Sequence, residues 1–155
     1  FFFAHMTVNS VQCLQQVKEQ QSVRAQTYRK FESAFAEYLR TKDFKPYQTA
    51  CTECTLQFKA CSEKVVSIER TFRDSGNLPY ADLLRKLQDN EKMLLQLTVQ
   101  LQQHRKNVPG PDEDSAVFER ELEHLQKQRL QVVEGVNEVM DEVQIELTDL
   151  LMGDA

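Results

Sequence analysis

A heptad seam runs through the middle of the chain, from Tyr47 to Phe72. Its large or apolar side chains recur in alternating steps of four and three residues: Tyr47, Cys51, Cys54, Phe58, Cys61, Val65, Ile68 and Phe72. This spacing keeps one stripe along one side of an α-helix, and that stripe must pack against other helices rather than face water. The seam therefore predicts a helical bundle in which this segment is a central member.

The segments on either side repeat the same spacing, so we predict an all-α fold. Helices are expected over Thr7–Leu39, Pro46–Arg73 and Leu78–Lys106, with a fourth running from Ser115 to about Leu151. Pro46 suits a first helical turn because its missing N–H would be unpaired there anyway. Short turns between long helices return the chain antiparallel, which predicts an elongated antiparallel bundle or coiled coil of about four long helices.

The predicted domain organisation follows these helices. Residues 1–6 look like a cloning remnant, and residues 7–106 are expected to form a three-helix domain. Residues 107–114 form a linker of proline, glycine and acidic residues, and residues 115–152 form an acidic helix that packs on the same domain. A chain of 155 residues is long enough for one domain with a real core.

Polar residues or glycine interrupt the seams in three places. On the first helix, Gln21 and Arg24 occupy seam positions; they either weaken packing or hold a buried hydrogen bond, and weaker packing is the favoured interpretation. Asn90 lies on the third seam, where a lone Asn can fix helix register. Gly135 interrupts the fourth helix, where it either admits a close neighbour or marks a soft point. The third seam comprises Leu83, Leu87, Asn90, Leu94, Leu97, Leu101 and His104.

Four cysteines are the most reactive groups in the chain: Cys13, Cys51, Cys54 and Cys61. Cys51 and Cys54 form a C-x-x-C pair, and the four thiolates together could bind a zinc ion. The pair lies inside a helical seam with no strand nearby, and the spacing is not that of paired zinc knuckles. We therefore predict reduced cysteines that fill the seam of a nuclear or cytoplasmic protein, with no bound metal or other cofactor.

No catalytic pattern is present, so we predict that the chain is not an enzyme. His104 and His124 have no nucleophile and carboxylate at a recognisable spacing, and glycine-rich phosphate loops are absent. No apolar run reaches the length of about 20 residues that a membrane span needs. The acidic side chains of the fourth helix are better interpreted as a solvated face than as acid–base pairs.

Charge is distributed unevenly. Residues 1–106 carry 16 basic against 11 acidic residues, whereas residues 107–155 carry 3 against 13. Basic residues of the first two helices, with Tyr28 and Phe44 among them, could contact phosphate, but their density is low for a nucleic-acid domain. Ordinary surface charge is the favoured interpretation, and weak, salt-sensitive contact is the most we expect.

A scatter of residues over the first three helices resembles a known family. It comprises Arg24-Ala25-Gln26-Thr27-Tyr28-Arg29-Lys30-Phe31-Glu32, Tyr38-Leu39, Tyr47, Glu53, Phe58-Lys59-Ala60-Cys61-Ser62, Val65 to Glu69, Leu83-Leu84-Arg85-Lys86-Leu87-Gln88 and Glu91. In order and spacing this pattern resembles the required-for-excision B domain family of eukaryotic proteins, over about residues 10–103. The fourth helix is more loosely similar.

The resemblance implies a small protein linked genetically to excision repair of damaged DNA, with no assigned enzymatic activity. Our first hypothesis is a non-enzymatic scaffold or adaptor that binds repair or chromatin proteins. Its candidate partner-binding residues are Arg24, Tyr28, Arg29, Lys30, Arg40 and Lys42. The alternative is a cytoskeletal or ciliary coiled-coil component. A homodimer is left open by the sequence.

Overall fold

The computed structural model describes residues 8–153, and the predicted cloning remnant at residues 1–6 lies outside them. The described residues form four α-helices and no strand: α1 (Ser10–Thr41), α2 (Phe44–Asp74), α3 (Leu78–Lys106) and α4 (Ala116–Gly153). The all-α helical prediction is confirmed. Within the described part of the chain, none of these helices has an apolar stretch of bilayer-spanning length.

Local side-chain chemistry explains where the helices begin and end. Asn9 caps α1 by accepting a hydrogen bond from the Gln12 N–H at 3.0 Å. Asp43 caps α2 in the same way, accepting from the Lys45 N–H at 3.4 Å. The prediction that α2 begins at Pro46 was therefore wrong by two residues. Pro46 instead occupies the third helical position, where its missing N–H again costs no intrahelical bond.

The turn between α2 and α3 forms as the sequence predicts. Gly76 has a φ of +84°, the left-handed conformation that glycine adopts without strain. The Asn77 N–H donates to the Phe72 carbonyl at 2.9 Å and the Gly76 N–H to the Arg73 carbonyl at 3.2 Å, which is the Schellman pattern of a helix end. Asn77 then caps the N-terminus of α3, where its side chain accepts from the Tyr80 N–H at 3.3 Å.

The chain divides into two compact units that cut across α3 and α4. Among the described residues, unit 1 comprises residues 8–88 and 139–153, and unit 2 comprises Asp89–Glu138. The predicted division into a three-helix domain at residues 7–106 and an acidic helix at residues 115–152 that packs on it follows the helices instead, and it stays a prediction. Unit 1 contains α1, α2, the start of α3 and the end of α4.

The heptad seam of α2 is the centre of the unit 1 core. From Cys54 to Phe72 every seam residue is buried, and Cys61, Val65 and Phe72 have no exposed surface. Facing residues from α1, α3 and α4 complete this core: Leu14, Val17, Phe31, Phe35, Ala81, Leu84, Leu87, Val139, Val143 and Leu147. Complete burial of a side chain of this size contributes about 1.5–3 kcal/mol, so the seam is a large part of what stabilises unit 1.

The buried face of α3 is wider than the predicted stripe. Leu94, Leu97 and Leu101 are buried as expected, whereas Leu83 and Asn90 are only half-buried. Additional buried residues widen the face: Leu84, Glu91, Thr98 and Gln102. A single heptad stripe describes a helix with one neighbour, and a helix that packs on more than one neighbour buries a broader face.

Candidate functional site

The six predicted partner-binding residues separate into buried and exposed groups. Arg24 is 2% exposed and Tyr28 is 8% exposed, so neither side chain is available to a partner on the surface. The remaining four are exposed: Arg29, Lys30, Arg40 and Lys42. Whether this exposed group binds a partner stays a prediction, and the two buried residues need a structural explanation.

Arg24 belongs to a buried polar cluster that joins three helices. Its Nη1 donates to Gln21 Oε1 at 2.6 Å, while its Nη2 donates to Ser62 Oγ of α2 at 3.3 Å and to Gln88 Oε1 of α3. Gln88 Nε2 in turn donates to the Ser62 carbonyl at 3.3 Å. The favoured interpretation of weaker packing at Gln21 and Arg24 was therefore wrong, because the buried Arg24 side chain is the centre of a hydrogen-bond network here.

Other residues of the family-like pattern also connect helices within unit 1. Tyr28 packs its ring on Phe58 with the centroids 4.6 Å apart. The carboxylate of Glu69, on α2, accepts from Arg85 of α3 at 2.7 Å and from Arg73 at 3.3 Å. Glu69 is 9% exposed, and a charge buried to that extent needs such partners. These residues therefore hold α1, α2 and α3 together rather than face a ligand.

A cleft of about 450 Å³ opens between α1 and α2. Lys30 and Glu53 form an ion pair there, with Nζ and Oε2 2.6 Å apart, and the hydrogen bond to Glu53 raises the pKa of Lys30. The cleft is lined by Val23, Gln26, Thr27, Lys30, Glu53, Cys54 and Gln57. Both ionised side chains are more than half exposed to solvent, so this ion pair adds little to the stability of the fold.

Two of the four cysteines are buried on the α2 seam, as the seam interpretation predicts for all of them. Cys54 and Cys61 are buried, whereas Cys13 and Cys51 are half-buried, and all four are free thiols. Cys54 Sγ lies 3.8 Å from the Thr27 carbonyl, and burial raises the pKa of its thiol. A thiol whose pKa is raised stays protonated at neutral pH and is a poor nucleophile. Within residues 8–153, no His, Cys, Asp and Glu side chains form a group of three or more suited to a metal.

An aromatic cluster occupies the end of unit 1 where α1 passes into α2. The rings of Tyr38 and Tyr47 stack nearly parallel, with centroids 5.2 Å apart and an angle of 11°. Phe44 packs edge-on against both, at 5.6 Å from Tyr38 and 6.0 Å from Tyr47. Phe31 and Phe35 lie beneath them and are buried. Phe44 stays 46% exposed, so the cluster reaches the surface.

Three exposed basic residues lie close to these aromatic residues in the sequence. Arg40, Lys42 and Lys45 all lie within the connection between α1 and α2 or next to it. We call this surface the aromatic–basic end, and it comprises Tyr38, Arg40, Lys42, Phe44, Lys45 and Tyr47. Burial raises the pKa of Tyr47 and its hydrogen bond with Cys51 raises it further, so this phenol is neutral at physiological pH.

The backbone of the connection fixes the aromatic–basic end. Lys42 has a φ of +63°, and its N–H donates to the Tyr38 carbonyl at 2.8 Å, which terminates α1 in the left-handed conformation. The Asp43 N–H donates to Thr41 Oγ1 at 3.1 Å, and the Asp43 carboxylate caps α2. This tight reversal brings Tyr38 and Tyr47 face to face although they belong to different helices.

Reasoning from sequence missed the aromatic–basic end as a unit. It placed Tyr47 on the second seam, named Tyr38 in the family-like pattern and named Phe44 only as a neighbour of basic residues. The available signal was the density of aromatic residues on both sides of a short polar connection. It also missed Ser62, Gln88, Glu69 and Arg85 as polar links between helices. The signal there was Arg24 itself, because a polar residue on a seam requires an acceptor on a facing seam.

Comparison with known proteins identifies relatives of the chain. The sequence model of the family described as DNA repair REX1-B matches residues 12–105. A mouse protein named "Required for excision 1-B domain-containing protein" is 27% identical over 137 residues, which cover 86% of this chain and 78% of the mouse protein. No solved structure is significantly similar to the chain. The matched residues span α1, α2 and α3, including the Arg24 and Glu69 contacts described above.

Proposed function

Because the chain belongs to the DNA repair REX1-B family, we propose that it is a non-enzymatic helical adaptor that acts in DNA repair by binding other proteins. In this proposal the polar residues of the family-like pattern maintain the fold, and the aromatic–basic end, which shares Tyr38 and Tyr47 with that pattern, holds the partner. The polar side chains of Arg24, Glu69 and Gln88 support the first part, since their hydrogen bonds connect helices.

The observation that carries the proposal is the exposed aromatic surface around Phe44. Aromatic residues and arginine are the side chains that contribute most binding energy at protein interfaces. At the aromatic–basic end Phe44 is 46% exposed, and its ring is positioned by contacts with Tyr38 and Tyr47. A partner that covers this surface would remove an aromatic ring from water without first having to order it.

Partner capture from cells tests this proposal. The tagged protein is compared with a Phe44→Ser variant, before and after DNA damage, and captured proteins are identified by mass spectrometry. We expect the unaltered chain to capture DNA repair or chromatin proteins and the variant to lose them. Leu56→Ser is the matched control, because Leu56 is an exposed apolar residue of the same helix (64%) and lies outside the aromatic–basic end.

Imaging the same tagged protein tests the cytoskeletal or ciliary alternative. The adaptor proposal predicts nuclear signal that increases at damaged DNA. Signal confined to filaments or axonemes, together with capture of only cytoskeletal proteins, would overturn the adaptor proposal in favour of the structural alternative. Unchanged survival of cells that lack the protein after several classes of DNA damage would count equally against a role in repair.

A further inference from the structure

We infer that the aromatic–basic end binds an acidic peptide segment with an apolar side chain set between carboxylates. This inference rests on the proposed function, since it names the class of partner that the adaptor would hold. Three features of this surface support it: the exposed ring of Phe44, the basic residues of the connection between α1 and α2, and the hydrogen bonds that fix that connection.

The apolar part of such a segment would contact Phe44. This ring is 46% exposed and contacts Tyr38 and Tyr47, whose own side chains are half-buried. The rings of Tyr38, Phe44 and Tyr47 form a platform that lies on a buried aromatic residue. The ring centroids of Phe35 and Tyr47 are 5.6 Å apart, and Phe35 is only 5% exposed. A leucine or phenylalanine of a partner would pack on the part of the Phe44 ring that is exposed to water.

The charges around this platform complement a carboxylate-bearing partner. Arg40 pairs with Glu37, and the Asp43 carboxylate is held at the N-terminus of α2 as its cap. In the described part of the chain, no carboxylate lies within ion-pair distance of the Lys42 or Lys45 ammonium group. Both acidic residues of the turn thus have structural partners, and two lysines beside Phe44 remain directed to solvent.

The turn that carries these lysines is fixed by hydrogen bonds. Lys42 is the C-cap of α1, and Lys45 lies in the first turn of α2, where its N–H donates to Asp43. The backbone therefore needs no further ordering when a partner binds, and only the lysine side chains lose freedom. Affinity is lost mainly through such ordering, so a fixed turn favours binding of a short segment.

A peptide fits this surface better than a nucleic acid does. The segment from Glu37 to Lys45 carries three basic residues against two acidic ones, and the whole chain has a net charge of −5. Nucleic-acid surfaces need a denser stripe of cations, because each neutralised phosphate contributes to affinity. A few carboxylates around an apolar anchor match two lysines and an exposed ring, whereas a continuous phosphate backbone does not.

Fluorescence anisotropy of a labelled peptide tests the inference. The probe has a central Phe-Leu pair flanked on each side by aspartates and glutamates, and it is titrated with the full chain. One control peptide replaces the acidic flanks with Asn and Gln, and another replaces Phe-Leu with Ser-Ser. We expect saturable binding of the probe and at least about tenfold weaker binding of each control peptide, which corresponds to about 1.4 kcal/mol or more.

Protein variants then locate the site. Phe44→Ser should weaken binding about tenfold or more, the effect typical of an aromatic anchor. The double variant Lys42→Glu/Lys45→Glu should weaken binding and flatten its dependence on salt, because the charge attraction is removed. Leu56→Ser and Lys64→Glu, at exposed positions of α2 outside the aromatic–basic end, are matched controls and should bind like the unaltered chain. Unfolding midpoints confirm that each variant is folded.

Three outcomes would overturn the inference: no saturable binding of the probe, equal binding of the probe and both control peptides, or binding that Phe44→Ser leaves unchanged in a folded variant. A single-stranded oligonucleotide that binds this surface while the peptide does not would assign it to nucleic acid instead. The result is separable from the cellular test. Capture of repair proteins that Phe44→Ser leaves unchanged would preserve the adaptor role and remove this site from it.

Discussion

Arg24 on α1 and Gln88 on α3 share a partly buried hydrogen bond, from Nη2 of the guanidinium to Oε1 of the carboxamide. The same Nη2 donates to Ser62 of α2, so one side chain contacts both neighbouring helices. Because Arg24 is 2% exposed, its donors cannot exchange these partners for water without opening the core. A polar residue on a hydrophobic seam therefore fixes how three helices align in unit 1.

Arg24→Met should destabilise the protein by about 1–3 kcal/mol, the loss expected when hydrogen bonds from a charged donor are removed. Methionine keeps much of the length and apolar stem of the side chain, so lost hydrogen bonding dominates the change. Urea unfolding followed by circular dichroism measures the effect. Arg29→Met is the matched control, since Arg29 is exposed on the same helix and its loss should change stability by less than about 0.5 kcal/mol.

The double variant Arg24→Met/Gln88→Leu separates hydrogen bonding from packing. Removing both polar partners leaves fewer unpaired groups, so the double variant should lose less stability than the sum of the single variants. Strict additivity of the two changes would contradict the view that Arg24 and Gln88 act as a pair.

Gly135 should be sensitive to its contact with Asn90, both of them in unit 2. A β-carbon at residue 135 would lie 3.3 Å from Asn90 Nδ2 and 3.4 Å from Oδ1, so the carboxamide lies against the glycine. This contact answers the question left by sequence, because Gly135 admits a close neighbour. Gly135→Ala gains up to about 1 kcal/mol of helix propensity but crowds the Asn90 side chain.

A double-mutant cycle tests this contact. In the natural background, Gly135→Ala should gain clearly less than about 1 kcal/mol, whereas in an Asn90→Ala background it should approach the full helix-propensity gain. Unfolding free energies of the four proteins give the coupling directly. Equal effects of Gly135→Ala in both backgrounds would show that Asn90 does not restrict the position.

Tyr80 should make stability depend on alkaline pH. Its hydroxyl donates to Glu146 Oε2 at 3.0 Å, which joins α3 to α4 within unit 1. Burial, this hydrogen bond and the nearby charges raise the pKa of Tyr80 to about 12. Because the folded state holds the phenol proton more tightly than the unfolded chain, this stabilisation is complete below about pH 10 and is lost as the pH rises through about 12.

Comparison of urea midpoints with those of Tyr80→Phe isolates this contribution. The difference in stability between the two proteins should be constant up to about pH 10 and should shrink above it. Glu146→Gln keeps an acceptor and removes its charge, so the tyrosinate absorbance should then titrate at lower pH. A Tyr80 titration that Glu146→Gln leaves unmoved would contradict the assigned pairing.

The sequence predicted those parts of the fold that depend on local periodicity. The α2 seam, the Gly76 turn and the extent of α3 follow from residues close together in the chain, and all three were confirmed. The partners of Arg24 were missed because Ser62 and Gln88 lie 38 and 64 residues away, and no periodicity specifies which polar groups will face each other.

The aromatic–basic end was only partly predictable for a related reason. Arg40 and Lys42 were identified from composition, but the contact of Tyr38 with Tyr47 depends on the left-handed conformation of Lys42. Sequence rarely indicates this conformation for a residue other than glycine, asparagine or aspartate. Burial of Arg24 follows from its position on the α1 seam, so the prediction that it also binds a partner conflicted with the heptad pattern.

The cysteines give the last prediction, because packing and zinc binding have opposite consequences. Cys61 has no exposed surface and Cys54 is 2% exposed, so both thiols already fill positions on the α2 seam. We expect protein purified without chelator to contain no stoichiometric zinc, and EDTA to leave its thermal unfolding midpoint unchanged. Cys61→Ala should lower stability by about 1 kcal/mol through loss of one buried sulfur, whereas Cys13→Ala, at a half-buried position, should cost less. Elemental analysis that finds one zinc per chain, together with a thermal unfolding midpoint that falls on chelation, would contradict the packing interpretation and indicate a metal site.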